Sequence, residues 1–267
     1  MATNNMNLFE EEESHHFKSR APLAERIRPR RLDEFIGQED LIGFGSPLRQ
    51  LIEGDSNISF ILWGPPGSGK TTIARIIARL TACRFHEISA VNAGVADIRK
   101  IISFAEKSLK SMGKSSILFI DEINRFNKVQ QDSILPYIEN GTLRLIGATT
   151  ENPSFQVIPA LRWRSQVFRL NQLRLGEMKK IMRRAMEVSL FDLTIRKADE
   201  EALDLIVRHA NGDARRALNI LETAFAYARS LNKKIVTLSV VEGIVQRASV
   251  LYDKGGTEHY DHASAFQ

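Results

Sequence analysis

Short apolar runs alternate along the first two-thirds of the chain with stretches whose apolar residues recur every three or four positions. The runs Ile58–Trp63, Arg84–Ser89, Ser116–Ile120, Leu143–Thr149 and Gln166–Leu170 read as strands. Ser116–Ile120 is continuously apolar, as a strand covered on both faces must be. Between them lie helical patterns: one opening at Thr72–Ala78, one over Asp97–Met112 and one over Lys128–Glu139, with an earlier helix near Pro47–Glu53. The stripe Ile98, Ile101, Ile102, Ala105 and Leu109 marks the buried face of the second. Strands separated by helices predict an α/β fold with a parallel sheet and right-handed crossovers. From Arg174 the strand signal fades, and helices are predicted near Glu177–Leu190, Asp199–His209, Asp213–Ser230 and Leu238–Ala248. The expected organisation is a disordered tail over 1–21, an α/β core over 22–171, a small all-helical domain over 172–250 and a final segment over 251–267.

Composition narrows this picture only at a few points. A chain of 267 residues, 43% hydrophobic and 26% charged, suits a globular protein of about two domains. Its single cysteine, Cys83, excludes an internal disulfide framework, fits a reducing compartment and reads as a core residue. No apolar run approaches the roughly 18 residues that a membrane span needs. The first residues carry Asn4, Asn5 and the acidic run Glu10–Glu13, which bury nothing and resemble no signal peptide. His15 and His16 there read as solvated, not as metal ligands. The net charge of +5 permits nucleic-acid binding without requiring it.

The chemistry centres on Gly64-Pro65-Pro66-Gly67-Ser68-Gly69-Lys70-Thr71, set between a strand and a helix that opens at Thr72. That context is what a phosphate-binding loop requires. Its glycines turn backbone N–H groups inward around a phosphate chain, and the helix N-terminus adds partial positive charge. Lys70 would reach the β- and γ-phosphates and Thr71 would ligate Mg²⁺, so the stretch predicts nucleoside triphosphate binding. Asp121 and Glu122 end the third strand, at the carboxyl edge where ligands sit in parallel sheets. Asp121 would hold Mg²⁺ and Glu122 would activate an attacking water. A glutamate beside the metal aspartate suits deliberate hydrolysis, whereas a small-molecule kinase must exclude water. Thr149 and Thr150 follow the fourth strand, where a hydroxyl could meet the γ-phosphate or serve as a cap or turn. Arg162 and Arg164 flank Trp163 ahead of the fifth strand, and one could serve a neighbouring subunit as an arginine finger. Arg215 and Arg216 adjoin in a later helix; only one can face a nucleotide, because neighbours on a helix point about 100° apart. The segment from Ala21 to Gln38 carries basic residues around Pro29 and could drape over the base.

Taken together, these motifs resemble the AAA+ ATPases of the clamp-loader clade, and within it the RarA/MgsA group with its eukaryotic relative, the Werner-helicase-interacting ATPase. The resemblance runs from about Pro22 to the C-terminus. Its carriers are Pro22-Leu23-Ala24-Glu25-Arg26-Ile27-Arg28-Pro29, Gly64–Thr72, Phe119-Ile120-Asp121-Glu122-Ile123-Asn124-Arg125-Phe126-Asn127, the stretch from Gly147 to Phe155, and Gly212–Asn219. It implies a P-loop ATPase core followed by a helical lid, with ATP and Mg²⁺ as ligands. Thr150 then takes the sensor-1 position, Arg215 the sensor-2 position and Arg164 the finger position, while Ile36 and Gly37 would touch the adenine. The resemblance also implies DNA-stimulated ATP hydrolysis at stalled forks, duplex ends and gaps, contact with single-stranded-DNA-binding protein, homo-oligomerisation, and a cytoplasmic, nucleoid-associated location. DNA contact is expected to be sequence-independent, with Arg26–Arg31 and Arg174–Arg184 as the basic clusters.

Two departures from the family pattern stand out. The family reads Leu-Ser-Arg-Cys around the finger, where this chain reads Arg162-Trp163-Arg164-Ser165. Residues 251–267 resemble only the entry into the family's C-terminal helical domain, which supports tetramer formation in relatives. Three functions are therefore in play: an ATP-hydrolysing DNA-remodelling factor, a clamp-loader-like switch subunit with weak turnover alone, and a DNA- or partner-binding fragment.

Overall fold

The structure, a computed structural model, describes residues 21–246 apart from 55, 82 and 189–196. The expected tail, except its last residue, and the 251–267 segment lie outside the described residues. The described chain forms two compact units, one of Pro29–Leu173 and the other of residues 21–28 with 174–246.

The first unit is built on a sheet of β1 (Ser59–Trp63), β2 (Arg84–Ser89), β3 (Ser116–Asp121), β4 (Leu143–Thr149) and β5 (Ser165–Arg169), in the order β2-β3-β4-β1-β5 and all parallel. Its helices are α1 (Glu39–Ile42), α2 (Pro47–Glu53), α3 (Lys70–Leu80), α4 (Val95–Met112), α5 (Lys128–Glu139), α6 (Pro153–Gln156) and α7 (Pro159–Trp163). The period of two along each strand divides the core in two. Phe60, Leu62, Ile117, Phe119, Ile146 and Ala148 pack on one face with residues of α1, α2 and α3. Ile61, Leu118, Ile120 and Leu145 pack on the other with residues of α4, α5 and α7. Both faces of the sheet are thus covered, which explains why β3 reads as an unbroken apolar run from Ile117 to Ile120. The fifth strand lies one residue earlier than its hydrophobic pattern suggests, at Ser165–Arg169.

The second unit holds α8 (Leu175–Val188), β6 (Lys197–Ala198), α9 (Glu200–Ala210), α10 (Ala214–Ser230), β7 (Ile235–Val236) and a further helical stretch over 238–246. Ala217, Leu218, Leu221, Ala224, Phe225 and Ala228 form the buried stripe of α10. The predicted all-helical domain carries one addition, a two-residue parallel pairing of Lys197–Ala198 with Ile235–Val236. Two residues are too few to give a period-two signal. The short helix Leu23–Arg26 also belongs to this unit. The Glu222 carboxylate of α10 accepts from the Leu23 N–H at 3.0 Å and from the Arg26 guanidinium at 2.8 Å, fastening that segment to the helices.

Candidate functional site

The phosphate loop leaves the carboxyl end of β1 and closes into α3 at Lys70. Its backbone is forced by packing. Gly69 sits at φ 101°, and a Cβ there would lie 2.4 Å from Phe35 Cζ. A Cβ on Gly64 would lie 2.5 Å from the Leu170 carbonyl oxygen, so neither position admits another residue without movement. Lys70 is only 7% exposed. Its ammonium donates to the Gly64 carbonyl at 2.8 Å and the Pro65 carbonyl at 2.9 Å. The cation therefore lies folded against its own loop, in the first turn of α3, where Thr71 and Thr72 follow it. The Ser68 hydroxyl oxygen is buried with no hydrogen-bond partner among the described residues. A buried lysine, an orphaned hydroxyl and a helix N-terminus within one glycine-rich turn fit a phosphate chain.

Two strands away, at the same sheet edge, the acidic pair follows β3. The Asp121 carbonyl accepts from the Ala90 N–H at 2.9 Å, which holds the strand end in register with β2. Glu122 adopts φ 55°, left-handed for a residue with a side chain. The Arg125 N–H, donating to the Glu122 carbonyl at 2.8 Å, closes a tight turn over Ile123–Arg125 that keeps it there. Such a conformation costs about 1–2 kcal/mol and concentrates at functional positions. Since β4 alone separates β3 from β1, the acidic pair leaves the sheet roughly 10 Å from the phosphate loop, two strand spacings. One hydroxyl, Thr71, and one carboxylate, Asp121, are the donor set that Mg²⁺ takes when phosphates supply further ligands.

The end of β4 lies between these two elements, tied to the loop by the Gly64 N–H donating to the Thr149 carbonyl at 3.2 Å. Here the structure separates two adjacent hydroxyls. Thr149 is fully buried; its hydroxyl donates to Asn124 Oδ1 at 3.1 Å and accepts from the Glu151 N–H at 3.0 Å. The Asn124 amide in turn donates to the Glu151 carboxylate at 3.0 Å. Thr149 thus braces the loop after β3 against the loop after β4, which is the cap-or-turn role. Thr150 is half-buried, and its hydroxyl has no hydrogen-bond partner among the described residues.

Ile36 and Gly37 lie between Phe35, whose ring covers Gly69, and Gln38. The buried Gln38 side chain donates to the Asn171 carbonyl at 2.7 Å and accepts from the Asn171 N–H at 2.8 Å. That two-way clasp holds 36–37 beside the carboxyl end of β5, at the same edge as the phosphate loop. Residues 29–38 therefore lie on the core unit, whereas 21–28 go with the helices, so the segment divides at Pro29.

Arg164 sits elsewhere. It precedes β5, and Ser165 pairs with Ser59 at the start of β1, while Trp63 at its end pairs with Arg169. The length of a five-residue strand, roughly 13 Å, lies between Arg164 and the phosphate loop of its own chain. Its guanidinium is ion-paired with Glu139 and donates to the Ala160 carbonyl at 3.2 Å. Neighbouring Trp163 is largely exposed. In the helical unit, Asp213 caps α10 by accepting from the Arg215 and Arg216 N–H groups at 2.9 and 3.1 Å, and both arginine side chains are exposed.

Sequence reasoning did not find the Gln38–Asn171 clasp or the Asn124 brace. The first joins residues 133 apart in the chain, and no local pattern announces it. The second rests on an amide two residues beyond the acidic pair, visible in the sequence only as a polar residue in a short turn.

Residues 60–174 match the family described as ATPase family associated with various cellular activities (AAA), and residues 194–267 match the AAA C-terminal domain. The chain is 43% identical over 252 residues to replication-associated recombination protein A of Coxiella burnetii, covering 91% of this chain and 56% of that one. The protein of the same name from Escherichia coli K12 is 41% identical over 251 residues, covering 91% and 55%. The ATPase WRNIP1 of Dictyostelium discoideum is 42% identical over 267 residues, covering 93% of this chain and 30% of that one. Among solved structures, the RuvB Holliday junction branch migration motor of Thermotoga maritima superposes with a TM-score of 0.67 at 27% identity, covering 82% of this chain and 72% of that one. The chain spans about half the length of the bacterial relatives it matches. The phosphate loop, the acidic strand end, the sheet order and these likenesses agree, and the chain belongs to the AAA ATPases, in the group of replication-associated recombination protein A.

Proposed function

We propose that the chain hydrolyses ATP to ADP and phosphate and couples that hydrolysis to DNA during replication-associated recombination and repair. The observation that carries this reading is the shared sheet edge: buried Lys70, the left-handed Asp121–Glu122 turn and Thr150 leave three adjacent strands side by side. The backbone of Gly64–Thr72, including Pro65, Pro66, Gly67, Ser68 and Gly69, would enclose the phosphates, with Lys70 turning from its loop carbonyls toward the β- and γ-oxygens. Thr71 and Asp121 would hold Mg²⁺, which supplies charge neutralisation at those oxygens. Glu122 accepts a proton from the water that attacks the γ-phosphorus as the bond to the β-phosphate oxygen breaks. Thr150 orients the γ-phosphate or that water, and Ile36 and Gly37 pack against the adenine.

Two arginines complete the site. Arg215 of the helical unit would contact the nucleotide as sensor 2. Arg164 would serve the site of a neighbouring copy, because its own phosphate loop opens at the opposite sheet edge. The functional unit is then a homo-oligomer. The names of the relatives, replication-associated recombination protein A above all, support a DNA substrate, which we take to be single-stranded, forked or gapped and bound without sequence preference. Single-stranded-DNA-binding protein is the proposed partner, and the cytoplasm, at the nucleoid, the proposed location. Among the described residues no helix is long and apolar enough to cross a membrane.

A second reading has one specific support. With Arg164 remote from its own phosphate loop, a lone chain has an incomplete site, as expected of a switch subunit that binds ATP and turns over little until assembled. Glu122→Gln tests the main reading. It keeps the side chain's shape and removes the charge that accepts the proton, so ATP binding should persist while turnover falls at least ~10²-fold. Near-native turnover would assign the proton to another group.

A further inference from the structure

The two basic clusters that the sequence offers for DNA are largely engaged inside the chain. Arg26 is paired with Glu222, Arg28 with Glu25, and Arg31 with Glu34. Lys179 is paired with Glu200 and Asp204, and Arg183 with Glu200. A different surface keeps its cations exposed. Helix α4 buries Ile98, Ile102 and Ala105 against the core, and its opposite side presents Ala96, Arg99, Lys100, Ser103, Phe104 and Lys107 around a shallow groove of about 500 Å³. Arg99 and Lys107 make no ion pair among the described residues. Lys100 has only a loose one, 3.9 Å from Asp97 with 81% of its side chain exposed.

In the middle of this stripe Phe104 is 45% exposed, unusual for an aromatic ring on a charged helix face. It is held in place from the edge strand β2. The Arg84 guanidinium lies over the ring, 4.9 Å from its centroid, and the His86 ring meets it edge-on at 5.4 Å. Arg84 is itself steadied by Met112 at the end of α4, its Nη2 donating to the sulfur at 3.5 Å. Lys100, Phe104 and Lys107 follow the i, i+4, i+7 spacing of one helix face, with about 10 Å of helix between the two lysines. A fixed aromatic ring between two exposed cations, with guanidinium support, matches a chain of alternating phosphates and unpaired bases. Duplex DNA keeps its base faces stacked, so only a single strand can use the ring.

We propose that this groove is a binding site for single-stranded nucleic acid, with Lys100 and Lys107 on phosphates and a base stacked on Phe104. The proposal rests on the nucleic-acid reading above and assigns it to the outer side of α4, away from Arg26–Arg31 and Arg174–Arg184. Equilibrium binding of a fluorescently labelled oligothymidylate to the full 267-residue chain, measured over a series of salt concentrations, tests it. Phe104→Leu keeps an apolar side chain but removes the π-face, and affinity should drop about tenfold with the salt slope unchanged. The double variant Lys100→Gln/Lys107→Gln should weaken binding at low salt and make the log–log salt slope shallower by about 1.4, two phosphate contacts on a single strand. Native-like affinity in Phe104→Leu would overturn the proposal, as would an unchanged slope in the double variant. Displacement of the oligonucleotide by polyglutamate at equal charge concentration would overturn it in favour of an acidic-peptide site. Any of these would leave the nucleic-acid reading standing, whereas failure of the native chain to bind the oligonucleotide would remove both.

Discussion

Replacing Lys70 by alanine separates what the lysine does for the fold from what it does for a ligand. In the free chain its ammonium is buried and bonded to two loop carbonyls, at 2.8 and 2.9 Å. Charge-assisted bonds of that kind contribute about 1.5–3 kcal/mol each. Burying an ammonium costs several kcal/mol, so the two effects largely offset. The melting temperature of Lys70→Ala without ligand should therefore stay within a few degrees of native. The ligand effect is larger and one-directional. At a ligand concentration a hundred times the dissociation constant, binding stabilises the native state by about 2.7 kcal/mol. For a unit the size of the core this corresponds to a rise of about 5–11 °C. Thermal unfolding with and without Mg-ATP should show that rise in the native chain and none in Lys70→Ala. An equal shift in both proteins would mean that Lys70 does not hold phosphate, and no shift in the native chain would mean that the loop binds no nucleotide.

Two further outcomes follow from local geometry. Gly69→Ala places a Cβ at φ 101° and 2.4 Å from Phe35 Cζ, and should destabilise the core unit by about 2–5 kcal/mol in urea unfolding; a loss below about 0.5 kcal/mol would show that Phe35 swings away freely. Burial, and secondarily the positive charge of Arg84, holds the His86 imidazole below its ordinary pKa of about 6.5. The unfolded chain then takes up that proton first as pH falls, so stability declines from about pH 6.5 down through the folded-state value, and His86→Gln should lessen the decline. An NMR titration placing the His86 midpoint at or above 6.5 would contradict this.

Much of the candidate site was legible because its determinants are local. A strand, a glycine-rich turn and a helix N-terminus are contiguous in the chain, and the acidic pair directly follows an apolar strand. The bounds of β2, β4, α2 and α5 match their sequence patterns because turns and caps punctuate them, as Asn127 does by accepting from the Gln130 N–H at the start of α5. What escaped is what folding brings together from afar. Adjacent threonines at the end of β4 look alike in sequence, yet Thr149 is buried and bonded to Asn124 while the Thr150 hydroxyl bonds to none of the described residues. The Arg26–Arg31 segment reads as a basic patch until its carboxylate partners, one of them 196 residues away, are in place. The Phe104 platform needs a strand residue, Arg84, to meet a helix residue across the sheet edge, and no one-dimensional pattern records that meeting.

The central claim is that nucleotide bound to one copy is hydrolysed with the help of Arg164 from the next. Mixing the two variants Lys70→Ala and Arg164→Ala tests it most directly, with ATP turnover followed against total protein concentration in the presence of single-stranded DNA. Each variant alone should be nearly inactive, since such a finger is worth roughly 10³–10⁵ in turnover. In the mixture, copies with intact Lys70 sit beside copies with intact Arg164, and activity should reappear and rise with concentration. A mixture that stays inactive while both variants co-assemble, or an Arg164→Ala chain that hydrolyses ATP at the native rate, would contradict the account.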